Sequence, residues 1–168
     1  LPLDLKQASA DARQASASAA RSLFGGYVEL PAGTPGDATL AATQLAPASH
    51  WDLRIVVAVT AEGRKAVLST DGMTHTRDTS PYYTAWVNAA PAITDVVRAG
   101  IVARDLDKLG PAMEHSTFSF HACAMAAAPA VIYLQPATLS ALSTVRRLRD
   151  EDRISVWATM DAGPHVKA

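Results

Sequence analysis

Ala12-Arg13-Gln14-Ala15-Ser16-Ala17-Ser18-Ala19-Ala20-Arg21-Ser22-Leu23-Phe24-Gly25-Gly26-Tyr27-Val28-Glu29 decides how this 168-residue chain is read. Apolar or small residues at Leu5, Ala8, Ala12, Ala15, Ala19 and Leu23 keep the three-and-four spacing of one buried helix face, and Gly25-Gly26 is a natural stop. Asp4 is predicted to start the helix by accepting a first-turn N–H, with Gln7 reaching back to complete a capping box. On the opposite face, Arg13, Ser16, Ser18 and Arg21 set hydroxyls and guanidinium forks beside side chains no larger than a methyl. Two readings follow from the residues: a close-packing helix surface, or a backbone that an anionic ligand can approach.

After the glycine pair, Tyr27 to Leu30 reads as a strand, Pro31 to Asp37 as a turn and Ala41 to Leu45 as the returning strand of a hairpin. Leu53 to Thr60 is β-branched and almost continuously apolar, which predicts a strand central in a sheet. Ala61-Glu62-Gly63-Arg64 then turns the chain. Ser69 to Asp78 reads as a polar loop ending at Thr79-Ser80-Pro81, the start of a helix to about Ala99. Asp105 opens another helix, with Gly110-Pro111 predicting a kink or restart, and a third follows Pro136 through Leu139, Leu142 and Val145. Ile154 to Thr159 alternates as a strand and delivers Asp161 into a Gly-Pro turn. This order predicts an α+β fold, helices packed on a largely antiparallel sheet.

Composition narrows the function classes. Apolar residues make up 49% of the chain, enough for one sizeable core, and the net charge of -1 offers no general attraction to nucleic acid. Arg146-Arg147-Leu148-Arg149 is too short for a nucleic-acid patch and reads as a solvated helix end. The longest apolar run, Ala122 to Leu134, contains Pro129 and falls short of the roughly 20 residues of a membrane span. Cys123 is the sole cysteine, so no internal disulfide forms, no metal-like Cys/His spacing exists, and a reducing cytoplasmic setting is expected. His121 reads as a satisfied structural histidine, and Met73 and Met113 as core.

The run quoted first resembles the A-R-x-G-S-G-S-A-C-R-S-L-F-G-G-Y-V signature of mevalonate diphosphate decarboxylases, in the GHMP kinase superfamily. Ser69-Thr70-Asp71-Gly72-Met73 followed by Thr79-Ser80 is similar to the family's S-T-x-G-M...T-S, Phe120-His121-Ala122 to F-H-A, and Asp161-Ala162-Gly163-Pro164 to D-A-G-P-N. The resemblance implies a GHMP-kinase-like fold, with residues 1-48 as the tail of an ATP-binding domain and 49-168 as a C-terminal domain. It also implies a phosphate loop upstream of Leu1, further sequence after the turn, and an isolated chain without activity.

The activity implied is ATP-dependent decarboxylation of 5-diphosphomevalonate to isopentenyl diphosphate in isoprenoid biosynthesis, with ATP and Mg2+ as cofactors and a homodimer as the assembly. By position, Asp161 matches the catalytic aspartate and Arg21 the active-site arginine; Ser16, Ser18, Arg13 and Ser69 match or adjoin substrate-binding positions, and no protein metal ligands are implied. An arginine fork can hold a carboxylate in two parallel hydrogen bonds. Because phosphoryl transfer has a loose transition state, Asp161 is cast as orienting the hydroxyl and receiving its proton late. The sequence departs from the family at Ala15 and Ala17 in place of glycines, Ala20 in place of cysteine, His115-Ser116-Thr117 in place of D-S-N, and His165 in place of asparagine. These departures keep two alternatives open: a GHMP kinase or decarboxylase acting on a related derivative such as the monophosphate, and a non-catalytic binding or dimerisation module.

Overall fold

The helix expected from Leu5 to Leu23 is two helices. The computed structural model describes residues 4-34, 36-63 and 67-168, and there α1 (Leu5–Arg13) and α2 (Ala17–Arg21) are separated at Ser16, whose backbone is extended. Ser16 Oγ accepts from Ala19 N at 3.0 Å. A serine competes poorly as a helix-interior residue and well as a cap, so the polar face read from the sequence is a helix boundary. Asp4 caps α1 through Lys6 N and Gln7 N, but the Gln7 side chain runs forward to Asp11, so the capping box is not formed. The expected apolar face also shifts: Leu5, Ala15 and Leu23 are exposed, while Ser9, Ala10 and Ala20 are buried. Ser9 Oγ donates to Ala20 O at 3.0 Å and accepts from Ala42 N at 2.9 Å, so a buried hydroxyl ties α1 to α2 and to the second hairpin strand.

The chain divides into two compact units, Leu1–Leu53 and Arg54–Ala168. The first contains α1, α2 and the predicted hairpin, β1 (Tyr27–Glu29) antiparallel to β2 (Thr43–Ala46). Gly26 has φ 74°, and a Cβ there would collide with the backbone at Ala46 and Ala48, so only glycine fits. Pro35 of the expected turn lies outside the described residues, as do Leu1 to Leu3 and the stretch containing Arg64.

The second unit is helix-rich. Ser69 to Asp78, expected as a loop, lies in a helix, α3 (Ser69–Thr79). Its buried positions are Gly72 and Thr76, with Thr76 Oγ1 bonded back to Gly72 O at 2.7 Å, so no apolar stripe marks it in the sequence. α4 (Tyr83–Ala103) and α5 (Leu106–Met125) pack along each other, joined at a left-handed Arg104 and capped by Asp105, which accepts from Lys108 N at 3.0 Å. Gly100 lets the two backbones meet, since a Cβ would stand 3.0 Å from Leu109. α5 does not restart at Gly110-Pro111, because Pro111 sits in the second turn and removes a single helical hydrogen bond. α6 (Pro136–Asp150) begins after Gln135, with Leu142 and Val145 buried as expected and Leu139 exposed.

The β-branched run departs most from expectation. Only β3 (Val57–Ala58) forms, paired antiparallel with β4 (Val166–Lys167), while Ile55, Val56 and Val59 are about 70% exposed. It is an edge pairing rather than a central strand. Ile154 to Thr159 is extended but bridges β4 only at Thr159. The fold is therefore α+β with two small antiparallel sheets instead of one large one. Leu142, Val145, Ala158, Met160 and Val166 form one core cluster, and Ala124, Ala127, Val131 and Tyr133 a second. Met73 and Met113 are half-buried outside both clusters.

Candidate functional site

In the first unit, Ser16, Ser18 and Arg21 stand together on one short helix. Ser16 Oγ and Ser18 Oγ are 3.1 Å apart, Ser16 is committed to the cap, and Ser22 Oγ donates to Ser18 O at 2.8 Å. Ser18 and Arg21 line an open depression of about 330 Å³ with Ser22, Phe24, Gly26 and Val28. The walls combine two hydroxyls, a guanidinium and apolar carbons, a surface suited to an anion carried on a small carbon skeleton. Arg13 is spent differently: its Nε donates to Leu40 O at 3.0 Å and its Nη2 to Asp37 O, so it ties down the hairpin loop.

In the second unit, Asp161 is presented at the tip of a turn closed by Gly163 N to Asp161 O at 2.7 Å. Its neighbours are anchored on both sides. Met160 is buried in the first core cluster, Ala162 packs against the second, and the Asp161 side chain between them is 82% exposed. The turn is fastened farther along by Pro164 O, which accepts from Thr60 Oγ1 at 2.5 Å and Thr138 Oγ1 at 2.7 Å, and by His165 Nδ1, which accepts from Thr60 N at 3.2 Å. Lys167 Nζ pairs with Asp161 Oδ2. An exposed carboxylate with a solvent-screened lysine partner remains available as a hydrogen-bond and proton acceptor. Ser69 opens α3 and is exposed. Gly72, one turn on, is needed because a Cβ would meet the Tyr133 hydroxyl.

Two residues that sequence reasoning missed, Glu114 and Thr117, lie on α5. Glu114 Oε1 accepts from Ala158 N at 3.0 Å and from Arg149 Nη1 at 2.9 Å. Arg149, expected to be solvated, is only 20% exposed and stacks over Trp157 at 4.1 Å. Thr117 Oγ1 accepts from Met160 N at 2.8 Å and donates to Met160 O at 2.7 Å. His121 is 2% exposed, lies edge-on to Phe120 and Tyr133, and sits close to the Asp161 backbone. Burial holds its pKa below the ordinary 6.5, against the opposing pull of the Asp161 backbone. It is structural as expected but not fully satisfied, because Nε2 has no partner. The only sequence signals available were the F-H-A resemblance and the period of Glu114, Thr117 and His121 along one helix face.

Comparison with known proteins places these features. Residues 55-166 match the mevalonate 5-diphosphate decarboxylase C-terminal domain, and residues 1-41 the diphosphomevalonate decarboxylase-like N-terminal domain. The chain belongs to the mevalonate diphosphate decarboxylase family. The diphosphomevalonate decarboxylase of Candida albicans is 32% identical over 169 residues, covering 99% of this chain and 46% of that protein. Among solved structures, mevalonate diphosphate decarboxylase from Staphylococcus aureus is similar with a TM-score of 0.90 and 32% identity, over 98% of this chain and 50% of that one. MDDEF in complex with MVAPP, AMPPCP and magnesium gives a TM-score of 0.89 and 34% identity, over 98% and 50%. The chain thus spans about half the length of the relatives it matches. Among the described residues, no group of three His, Cys, Asp or Glu side chains is placed to hold a metal ion. No helix among the described residues is long and apolar enough to cross a membrane.

Proposed function

We propose that the protein carrying this sequence is an ATP-dependent decarboxylase of 5-diphosphomevalonate, yielding isopentenyl diphosphate, and that Asp161 is its catalytic carboxylate. The observation that carries the reading is the exposed Asp161 side chain, held between two core-anchored neighbours in a chain of this family. A carboxylate so placed can orient a tertiary hydroxyl and take its proton as the phosphoryl group departs from the nucleotide. ATP supplies that phosphoryl group and magnesium screens its charge. Support for both is the MDDEF complex with MVAPP, AMPPCP and magnesium; this chain's own contribution is the acceptor and the anion-binding groups. Arg21 is assigned to the substrate carboxylate, where a planar fork offers two parallel donors, and Ser18 to an anionic oxygen beside it. Ser16 keeps its oxygen on Ala19 N and can still donate its proton. Ser69 is the weaker phosphate contact, on exposure alone. Arg13 is assigned to shaping the loop rather than to the substrate, because both of its bonds are to backbone carbonyls. A homodimer in a cytoplasmic setting completes the proposal.

The test is release of carbon dioxide from 5-diphosphomevalonate with magnesium-ATP by the enzyme carrying this sequence, compared with its Asp161→Asn variant. The variant keeps the shape and removes the proton acceptor. Turnover is expected to fall at least a hundredfold, about 2.7 kcal/mol of barrier, with the melting temperature nearly unchanged. ATP consumption without carbon dioxide would identify a kinase instead. Ala15 and Ala17 flank the Ser16 cap and are exposed, so their methyls face any substrate that approaches α2. That observation favours the monophosphate as the second substrate to assay.

A further inference from the structure

We propose that one face of α5, carrying Gly110, Glu114, Thr117 and His121, is a ruler that sets the position of Asp161, with Thr117 as the principal positioning residue. The inference rests on Asp161 being the residue that meets the substrate hydroxyl.

The four residues are spaced four, three and four apart, which puts them in one stripe along the helix. Each meets a successive point of the segment that ends at Asp161. Gly110 leaves room for the Trp157 ring, which a Cβ would penetrate. Glu114 takes Ala158 N, Thr117 takes both backbone groups of Met160, and His121 comes close to the Asp161 backbone. The rises agree: the seven residues from Gly110 to Thr117 advance about 10.5 Å along a helix, and the three from Trp157 to Met160 about 10 Å in extended chain. A helix and a strand otherwise have no common register, so this match is what lets Glu114 and Thr117 both reach the backbone of the segment.

The opposite edge of the segment is held by backbone. Thr159 N donates to Lys167 O at 2.7 Å, and Lys167 N donates to Thr159 O at 2.9 Å. In extended chain the polar groups of alternate residues point to opposite edges. Residues 158 and 160 therefore turn to α5, and residue 159 to β4. The side chains of α5 do the work of a missing neighbouring strand. Thr117 imitates such a strand most closely, because a single hydroxyl serves the N–H and C=O of one residue. A one-residue slip would break all of these bonds together and move Asp161 by about 3.3 Å, more than catalytic geometry tolerates.

The experiment compares Thr117→Val, Thr117→Ser and Asp161→Asn in the full enzyme, with 5-diphosphomevalonate and magnesium-ATP as substrates. Thr117→Val keeps the shape and removes the hydroxyl. It is expected to lower kcat about thirtyfold, leave both KM values within about threefold, and speed exchange of the Met160 amide. Thr117→Ser should restore kcat to within about threefold. Normal kcat in Thr117→Val together with rapid Met160 exchange overturns the proposal. If Thr117→Val does not fold, His121→Phe keeps the ring packing and removes the polar nitrogens at the last position of the stripe. Its kcat should fall about fivefold at constant KM, and an unchanged kcat again overturns the ruler. Asp161→Asn separates the two levels. If that variant turns over normally, the catalytic assignment has failed; if it is inactive while Thr117→Val and His121→Phe are normal, only the ruler has.

Discussion

Ser16 and Asp161 are positioned by opposite means. The α2 segment is shaped by its own sequence: a cap from Ser16 to Ala19 three residues on, a bond from Ser22 to Ser18 four residues back, and the left-handed turn at Gly26. Asp161 is placed by groups far away in the chain, Thr117 at a separation of 43 residues and Thr60 at 104. Local positioning is cheap to form and weak to lose, since each bond is exposed and water can replace it. Distant positioning buries its hydrogen bonds, so each carries the full cost of desolvation when broken, about 1-3 kcal/mol per unpaired group.

The first way to test this contrast is Arg21→Lys, which keeps the charge on α2 and removes the fork. Turnover is expected to fall by about ten- to a hundredfold, 1.4-2.7 kcal/mol, with no loss of stability, because the side chain is exposed. Steady-state kinetics beside a thermal melt decide it, and near-normal turnover would show that two parallel donors are not needed.

Gly110→Ala probes the distant mode. Alanine gains about 1 kcal/mol in helix propensity, but its Cβ would enter a Trp157 ring pinned by Arg149, and overpacking typically costs about 1-3 kcal/mol. A net destabilisation of about 1-2 kcal/mol is expected by denaturant unfolding. Stabilisation instead would mean that Trp157 is free to move, and with it the segment leading to Asp161.

Ser16→Ala removes the local cap and is expected to cost about 1 kcal/mol or less, seen as faster amide exchange at Ala19 without change in the second unit. A global loss of stability would show that the cap is not local in effect.

The smallest effect is a pH dependence from His121. Its pKa is lowered on folding, so the unfolded chain binds the proton more readily than the folded one. Its contribution is fully present above the ordinary value of 6.5 and is lost as the pH falls toward the folded value. Unfolding free energy should therefore decline below about pH 6.5, and His121→Phe should remove that part of the slope. An identical slope in the variant would assign it to other groups.

Much of the first unit was legible because its signals are short-range. The hairpin, the need for glycine at 26 and the hydroxyl-rich run all depend on neighbours within a few residues. The break between α1 and α2 was missed because Ala-rich periodicity on both sides outweighed one serine, although serine's preference for caps was there to be read. In the second unit, α5 and α6 followed from their starts and period, while α4 was expected but begins at Tyr83, with no side-chain cap, rather than at Pro81. α3 did not follow, since its buried face is glycine and threonine rather than apolar residues.

What the sequence determined by itself was therefore the helices with proper caps, the hairpin, the turn at Asp161-Ala162-Gly163-Pro164 and the residue types that could carry the chemistry. The tertiary structure alone decided that only Val56 to Ala58 of the β-branched run would pair with the chain's end, and that Trp157 to Met160 would lie between β4 and α5 rather than inside a sheet. The reason is that strand pairing is settled by whichever group reaches the backbone edge. Along residues 158 to 160 those groups are the side chains of Glu114 and Thr117, whose spacing suits an extended chain only once the two are laid side by side.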